Sequence, residues 1–138
     1  MKKTIVLIIS LIISFSVFSQ NVDPFAPQSA SESGEGAAYK LFPTQNASIF
    51  LKLDTRNGRI WQVQFSDVDS ERSFVTPLST KSLVKLIDEE YGRFTLYPTE
   101  KIYIFLLLDQ FDGNVWQVQW SLEKEKRSIT PIYIDMLR

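Results

Sequence analysis

From residue 39 onward, short apolar runs alternate with polar, turn-forming stretches, and the runs have the length of strands rather than helices. Residues 39–42 and 94–97 are two such runs. Each is stopped by a proline, Pro43 or Pro98, which cannot donate a ladder hydrogen bond. Residues 48–53 and 103–108 are β-prone and almost wholly apolar. Each leads into a turn sequence, DTRNG or DQFDG, where Asp54 or Asp109 can bond the turn backbone and Gly58 or Gly113 can supply a positive φ. The returning strands fall at 59–66 and 114–121, and a further short strand follows a polar loop at 73–78 and 128–134. The pattern predicts two antiparallel β-meanders.

The meanders are copies of one unit. A fixed offset carries Leu41-Phe-Pro-Thr44 onto Leu96-Tyr-Pro-Thr99 and Ile49-Phe-Leu-Lys-Leu-Asp54 onto Ile104-Phe-Leu-Leu-Leu-Asp109. The same offset superposes Trp61-Gln-Val-Gln64 on Trp116-Gln-Val-Gln119 and Arg72-Ser73 on Arg127-Ser128. Roughly half of positions 41–73 recur without a gap, which marks a tandem duplication. Unit 1 spans residues 39–78 and unit 2 residues 92–138. Between them, Leu83, Leu86 and Ile87 stand at helical spacing with Tyr91 just beyond, and Ser79 or Thr80 is placed to cap the start. That spacing predicts a connecting helix over 79–91.

Alternate side chains of a strand share a face. Trp61, Val63 and Phe65 therefore lie on one side of their strand, as do Trp116, Val118 and Trp120. Combined with Ile49, Leu51 and Leu53, and with Ile104, Leu106 and Leu108, they would make one apolar face in each unit. Trp61, Trp116, Leu51, Leu106, Val63 and Val118 are then the expected structural core, the two tryptophans being equivalent anchors. A meander with one apolar face and nothing packed on it is not stable alone. The expected architecture is mostly β, with two meanders forming one domain packed as a small sandwich or partly open barrel. Two blades are too few for a propeller unless subunits associate.

The remaining side chains, Phe50, Gln62 and Gln64 with Phe105, Gln117 and Gln119, would share the opposite face. Aromatic rings beside amides suit glycan stacking or the centre of a protein interface, so these six are the candidate binding residues.

The N-terminal residues change the picture of where the domain works. Residues 1–20 have a positive start at Lys2 and Lys3, an apolar stretch, and small or polar residues at the end. This is the layout of a secretory signal, with an apolar run too short to span a bilayer. No cysteine follows it for lipid attachment. Residues 21–38, rich in Ser, Gly, Ala, Pro and acid, read as a flexible linker. The expected location is exported, periplasmic or extracellular, with no membrane span once the signal is removed.

Composition narrows the chemistry. The chain of 138 residues contains no Cys and no His, so Ser-His-Asp and Cys-His triads and the usual zinc sites are excluded. A net charge of -1 with scattered basic residues argues against nucleic acid as a partner. The DQFDGN stretch lacks the alternating acids and distal Glu of a calcium loop. No metal, cofactor or catalytic residue is expected.

The cassette F-L-x-L-D-x-x-x-G-x-x-W, present at Phe50 to Trp61 and again at Phe105 to Trp116, resembles a motif found singly or in tandem in short bacterial secreted proteins. The resemblance implies β-repeats and export and brings no functional residue with it. The leading expectation is a non-catalytic binding module for a protein or glycan of the envelope or exterior. One alternative is a structural protein dimerising through exposed β edges or a face; another is a carboxylate-dependent hydrolase.

Overall fold

A computed structural model describes residues 36–133. The leader expected at 1–20, most of the linker expected at 21–38 and residues 134–138 of unit 2 lie outside them. The strands of unit 1 are β1 (Tyr39–Pro43), β2 (Ile49–Asp54), β3 (Ile60–Gln64) and β4 (Phe74–Ser79). Unit 2 repeats them as β5 (Phe94–Pro98), β6 (Ile104–Asp109), β7 (Val115–Gln119) and β8 (Ser128–Ile132). Each unit is one antiparallel sheet with its strands in chain order, and the sheets do not close into a barrel.

The central hairpin of each unit is set by its turn. The Asp54 N–H donates to the Arg59 carbonyl at 2.9 Å and the Gly58 N–H returns to the Asp54 carbonyl at 3.0 Å. Asp109, Asn114 and Gly113 repeat this at 2.9 and 2.8 Å. Both glycines are left-handed, with φ of +76° and +75°. A Cβ on Gly113 would meet nothing within 4 Å, whereas one on Gly58 would lie 2.7 Å from Leu83 Cδ1 and 3.3 Å from Phe94 Cδ1. Gly113→Ala should therefore lose about 1–2 kcal/mol, the left-handed penalty alone. Gly58→Ala should lose about 3 kcal/mol, because the added methyl also overpacks the junction between units. Chemical denaturation of the two variants measures the difference, and equal losses would contradict the junction contact.

The turn also fixes a register that differs from the expected one. Leu51 stands opposite Gln62 and Ile49 opposite Gln64, while Lys52 stands opposite Trp61 and Phe50 opposite Val63. Unit 2 has the same register, with Leu106 opposite Gln117 and Leu107 opposite Trp116. Each tryptophan therefore shares a face with Phe50 or Phe105, and the glutamines share the Ile-Leu-Leu face. A slip of one residue exchanges every side chain between faces. Nothing in the apolar pattern opposed that slip, because both faces of these strands carry large apolar residues.

The units pack front to back. Unit 1 buries the face of Ile49, Leu51, Leu53, Ile60 and Gln62. Unit 2 buries the other one, carrying Phe94, Leu96, Phe105, Leu107, Val118 and Trp120. These apolar residues form one core cluster, with Trp116 and Ile129 packed partly buried against it. Strand β5 lies against β2 and β8 against β4, so the second sheet follows the first in the same sense. Arg127 stitches the layers: its Nη1 donates to Thr76 Oγ1 at 2.7 Å, and its Nε donates to the Ser121 carbonyl at 2.8 Å.

Equivalent residues consequently have unequal surroundings. Leu51 and Val118 are buried, but Trp61, Val63 and Leu106, expected in the core, are half-buried on the two outer faces. Trp61 and Trp116 are not equivalent anchors.

The connecting helix is absent. The described residues contain only 3-10 turns, one of them at Leu86–Asp88. The side chains that anchor the connector are Leu83 and Val84. Both lie at a bend of the chain rather than in a helical turn. The Leu83 N–H is then free to donate to the Asn57 carbonyl at 2.9 Å. Leu86 and Ile87, the other halves of the helical pattern, are 84% and 87% exposed.

Candidate functional site

The candidate binding residues do not form one surface. Phe50 is half-buried on the outer face of unit 1, Gln62 is 1% exposed in the core, and Gln64 is half-buried at the rim of the core-facing side. In unit 2 it is Phe105 that is buried, whereas Gln117 is exposed and Gln119 half-buried on the outer face. The single Phe/Gln face expected from the sequence is thus divided by the register and by the front-to-back stacking. Neither amide atom of Gln62 has a hydrogen-bond partner among the described residues.

What the fold does assemble is an aromatic face on unit 1. Tyr39, Lys52 and Trp61 share one face of the sheet: Lys52 stands opposite Trp61 on β3 and Leu41 on β1, and Tyr39 lies two residues along β1, opposite Asp54. The Tyr39 and Trp61 rings meet edge to face with centroids 6.4 Å apart, and the Lys52 ammonium sits 4.6 Å from the Trp61 centroid and 5.4 Å from that of Tyr39. Phe50 and Phe65 pack together at 6.0 Å further along. Leu41 and Val75 extend the apolar surface to the edge strands, both exposed. Sequence reasoning placed Phe65 on the apolar core face and did not count Tyr39, Lys52 or Phe65 among the binding residues. A usable signal was the divergence between repeats: Tyr39, Lys52 and Phe65 stand where unit 2 has Phe94, Leu107 and Trp120, and all three changes fall on one face.

On unit 2 the opposite kind of face is the one that no other described residues cover. Ile104, Leu106, Leu108 and Val115 lie there half-buried beside exposed Gln117, on the face that in unit 1 forms the core. Tyr97 and Ile132 continue it, each 50% exposed.

The buried carboxylates hold turns. Asp109 receives Arg93 Nε at 3.0 Å and Nη2 at 2.8 Å, and its Oδ1 also accepts the backbone N–H groups of Phe111 and Asp112. Arg93 reaches the Asp112 carboxylate as well, and its Nη1 donates to the Asp88 carbonyl at 2.9 Å. Burial alone would raise the Asp109 carboxyl, but the Arg93 hydrogen bonds, the two backbone donors and the guanidinium charge outweigh it and hold the group below the ordinary aspartate range. Asp54 is lowered in the same way: burial opposes, while Arg56 side-chain and backbone donors, its charge and Asn57 prevail. Both carboxylates stay ionised and fully engaged, which is a poor state for a general acid. An open cavity of about 480 Å³ lies beside this cluster, lined by Ser82, Leu83, Val84, Lys85 and Asp88 together with Arg93 and Asp112. In that lining Arg93 and Asp112 already pair with each other.

Fold and surface together define a two-unit stack of β-meanders with two outer faces of different kind, neither covered by other described residues. Comparison with protein-family models, with curated proteins and with solved structures finds no match.

Proposed function

We propose that this protein is an exported, non-catalytic binding module whose uncovered sheet faces engage a protein partner. The observation that carries the reading is the position of Phe50, Trp61 and Phe65. Their equivalents in unit 2, Phe105, Trp116 and Trp120, are docked against a neighbouring sheet, while these three remain on an outer face. Residue types that already form one protein interface are presented to solvent a second time.

A protein suits this face better than a glycan. The Trp61 ring is met by the Tyr39 ring and the Lys52 ammonium, which does not leave a flat platform for sugar stacking. Gln62, which could have supplied hydrogen bonds, is buried in the core. Faces are also favoured over edges. Pro43, Pro77, Pro98 and Pro131 all lie on β1, β4, β5 or β8, the edge strands, where a missing N–H blunts pairing with an added strand. The non-catalytic part of the reading is supported by Asp54 and Asp109, the buried carboxylates, being held by arginines. Export is supported by the N-terminal sequence pattern.

A photo-crosslinking residue in place of Phe65 tests the surface. In intact cells it is expected to capture protein, and Phe50→Ala with Trp61→Ala should abolish the adduct. A glycan array probed with the same protein should stay blank. Capture that survives both substitutions, or glycan binding lost with Phe50, would overturn the reading.

A further inference from the structure

We infer that the partner is a second copy of this chain, stacked head to tail so that the Ile104/Leu106/Leu108 face of one copy covers the Phe50/Trp61/Phe65 face of the next. This rests on the reading of the outer faces as interaction surfaces and names their occupant.

The argument comes from the contact between the units. That contact is heterologous: an Ile-Leu-Leu face meets an aromatic face from an equivalent sheet, and the two are opposite sides of the same repeat. A back-to-back sandwich would use up the two like faces and leave none of that kind. Front-to-back packing instead leaves one of each kind, and each is the chemical twin of a face already buried. Ile104, Leu106, Leu108 and Val115 occupy the positions of Ile49, Leu51, Leu53 and Ile60, all of which are 1% exposed or less. Gln117 even repeats Gln62. On the other free face, Phe50, Trp61 and Val63 repeat Phe105, Trp116 and Val118 without change. A second copy therefore offers each free face the surface chemistry that its twin already binds within the chain. The edge prolines leave the faces as the route for growth.

Three residues of the aromatic face depart from the template, Tyr39 for Phe94, Phe65 for Trp120 and Lys52 for Leu107, and of these Lys52 alone brings in a charge. Lys52 stands where unit 2 has Leu107, which is fully buried. Its ammonium lies over the Trp61 and Tyr39 rings, and a long stem lets such a charge lean to the rim of a contact. The lysine makes the contact between copies weaker than the contact between units, and hence reversible. A heterologous contact produces a ring where its rotation closes and an open stack where it does not. Rings of roughly four to eight blades correspond to two to four chains.

Sedimentation velocity over a wide concentration range, on protein purified from cells expressing the full chain, tests this. The wild type is expected to associate reversibly. Leu106→Glu spoils one face and Phe65→Glu the other, so each variant alone should be monomeric. Mixed in equal amounts they should form a dimer and nothing larger, because one intact face of each kind remains. Lys52→Leu completes the aromatic face and should tighten association about tenfold or more, since a desolvated ammonium is removed. That gain is readable even if the glutamate variants fail to fold. A wild type and a Lys52→Leu variant that both stay monomeric would overturn the inference, as would a Leu106→Glu variant that dimerises unaided through its aromatic face. If the chain is monomeric while Phe65 still crosslinks to another protein, the second copy is excluded and the interaction surface stands. If it neither associates nor crosslinks, both readings fail.

Discussion

Trp120→Ala should destabilise the domain by about 3–5 kcal/mol, whereas Phe65→Ala, at the equivalent position of unit 1, should remove about 1 kcal/mol. Trp120 is 1% exposed, packs on Tyr103 at 5.0 Å and donates its indole N–H to the Ile102 carbonyl at 3.0 Å. Phe65 is 44% exposed and touches only the neighbouring Phe50 ring among the described aromatic pairs. Total stabilities of domains this size are about 5–15 kcal/mol, so the first variant becomes marginal and the second remains well folded. Urea titration at low protein concentration, where association is suppressed, provides the comparison. Two units packed like face to like face would lose similar amounts at both positions, so a small difference would refute front-to-back stacking.

The second large effect is expected at the buried ion pair. Asp109→Asn keeps an oxygen for the turn N–H groups but withdraws the charge that faces Arg93, whose side chain is only 7% exposed. Leaving a buried guanidinium without that partner should cost about 3 kcal/mol, the low end for a broken buried pair, because Asp112 and the Asp88 carbonyl still hold it. In a domain of this size that is a fall in Tm of about 15 °C. Asp54→Asn should cost less, since the Arg56 side chain, 28% exposed, can turn to water.

The pH dependence follows from the direction of the shifts. Both folded carboxyls sit below the ordinary aspartate value of about 3.9. In that acidic window the unfolded chain binds more protons than the folded one, so stability falls as pH falls. The contribution is complete above about pH 4 and drains through the lower folded values. Asp109→Asn should therefore flatten the acid limb of a stability-against-pH curve while lowering its plateau. An unchanged acid limb would show that the pair does not couple to folding.

The duplication, the strands, the hairpin turns and the edge prolines were all legible in the residues, because each leaves a local mark: alternation, an Asp-to-Gly turn, a missing donor. The choice of face was not. In Ile49-Phe-Leu-Lys-Leu53 both sides are rich in apolar atoms, and a strand able to be buried on either side carries no mark of which side is. The turn decides the register, and the neighbouring sheet then decides which face is covered. The differences between repeats held the missing information, since Lys52 and Tyr39 mark the face left in water. The connector was misread for a related reason. Leu86 and Ile87 complete a helical period, but the packing at Gly58 and Phe94 takes Leu83 and leaves both of them outside. Arg93 gave no motif at all, as its partner is sixteen residues away and its equivalent in unit 1 is Ala38.

That inequality between the arginines bears on the order in which the chain folds. The first hairpin is self-contained, for Arg56 belongs to the very turn whose Asp54 it answers. The second takes Arg93 from the residue preceding β5, so Asp109 is not neutralised until β5 lies beside β6. The first hairpin can therefore close through contacts within its own turn, whereas the second needs the segment before β5 as well. Tandem copies carry a standing hazard that a strand zips onto its sibling and traps the product. Here Asp54 already has Arg56, so the Arg93 that precedes β5 finds its acid at Asp109, which favours the correct pairing of the near-identical halves.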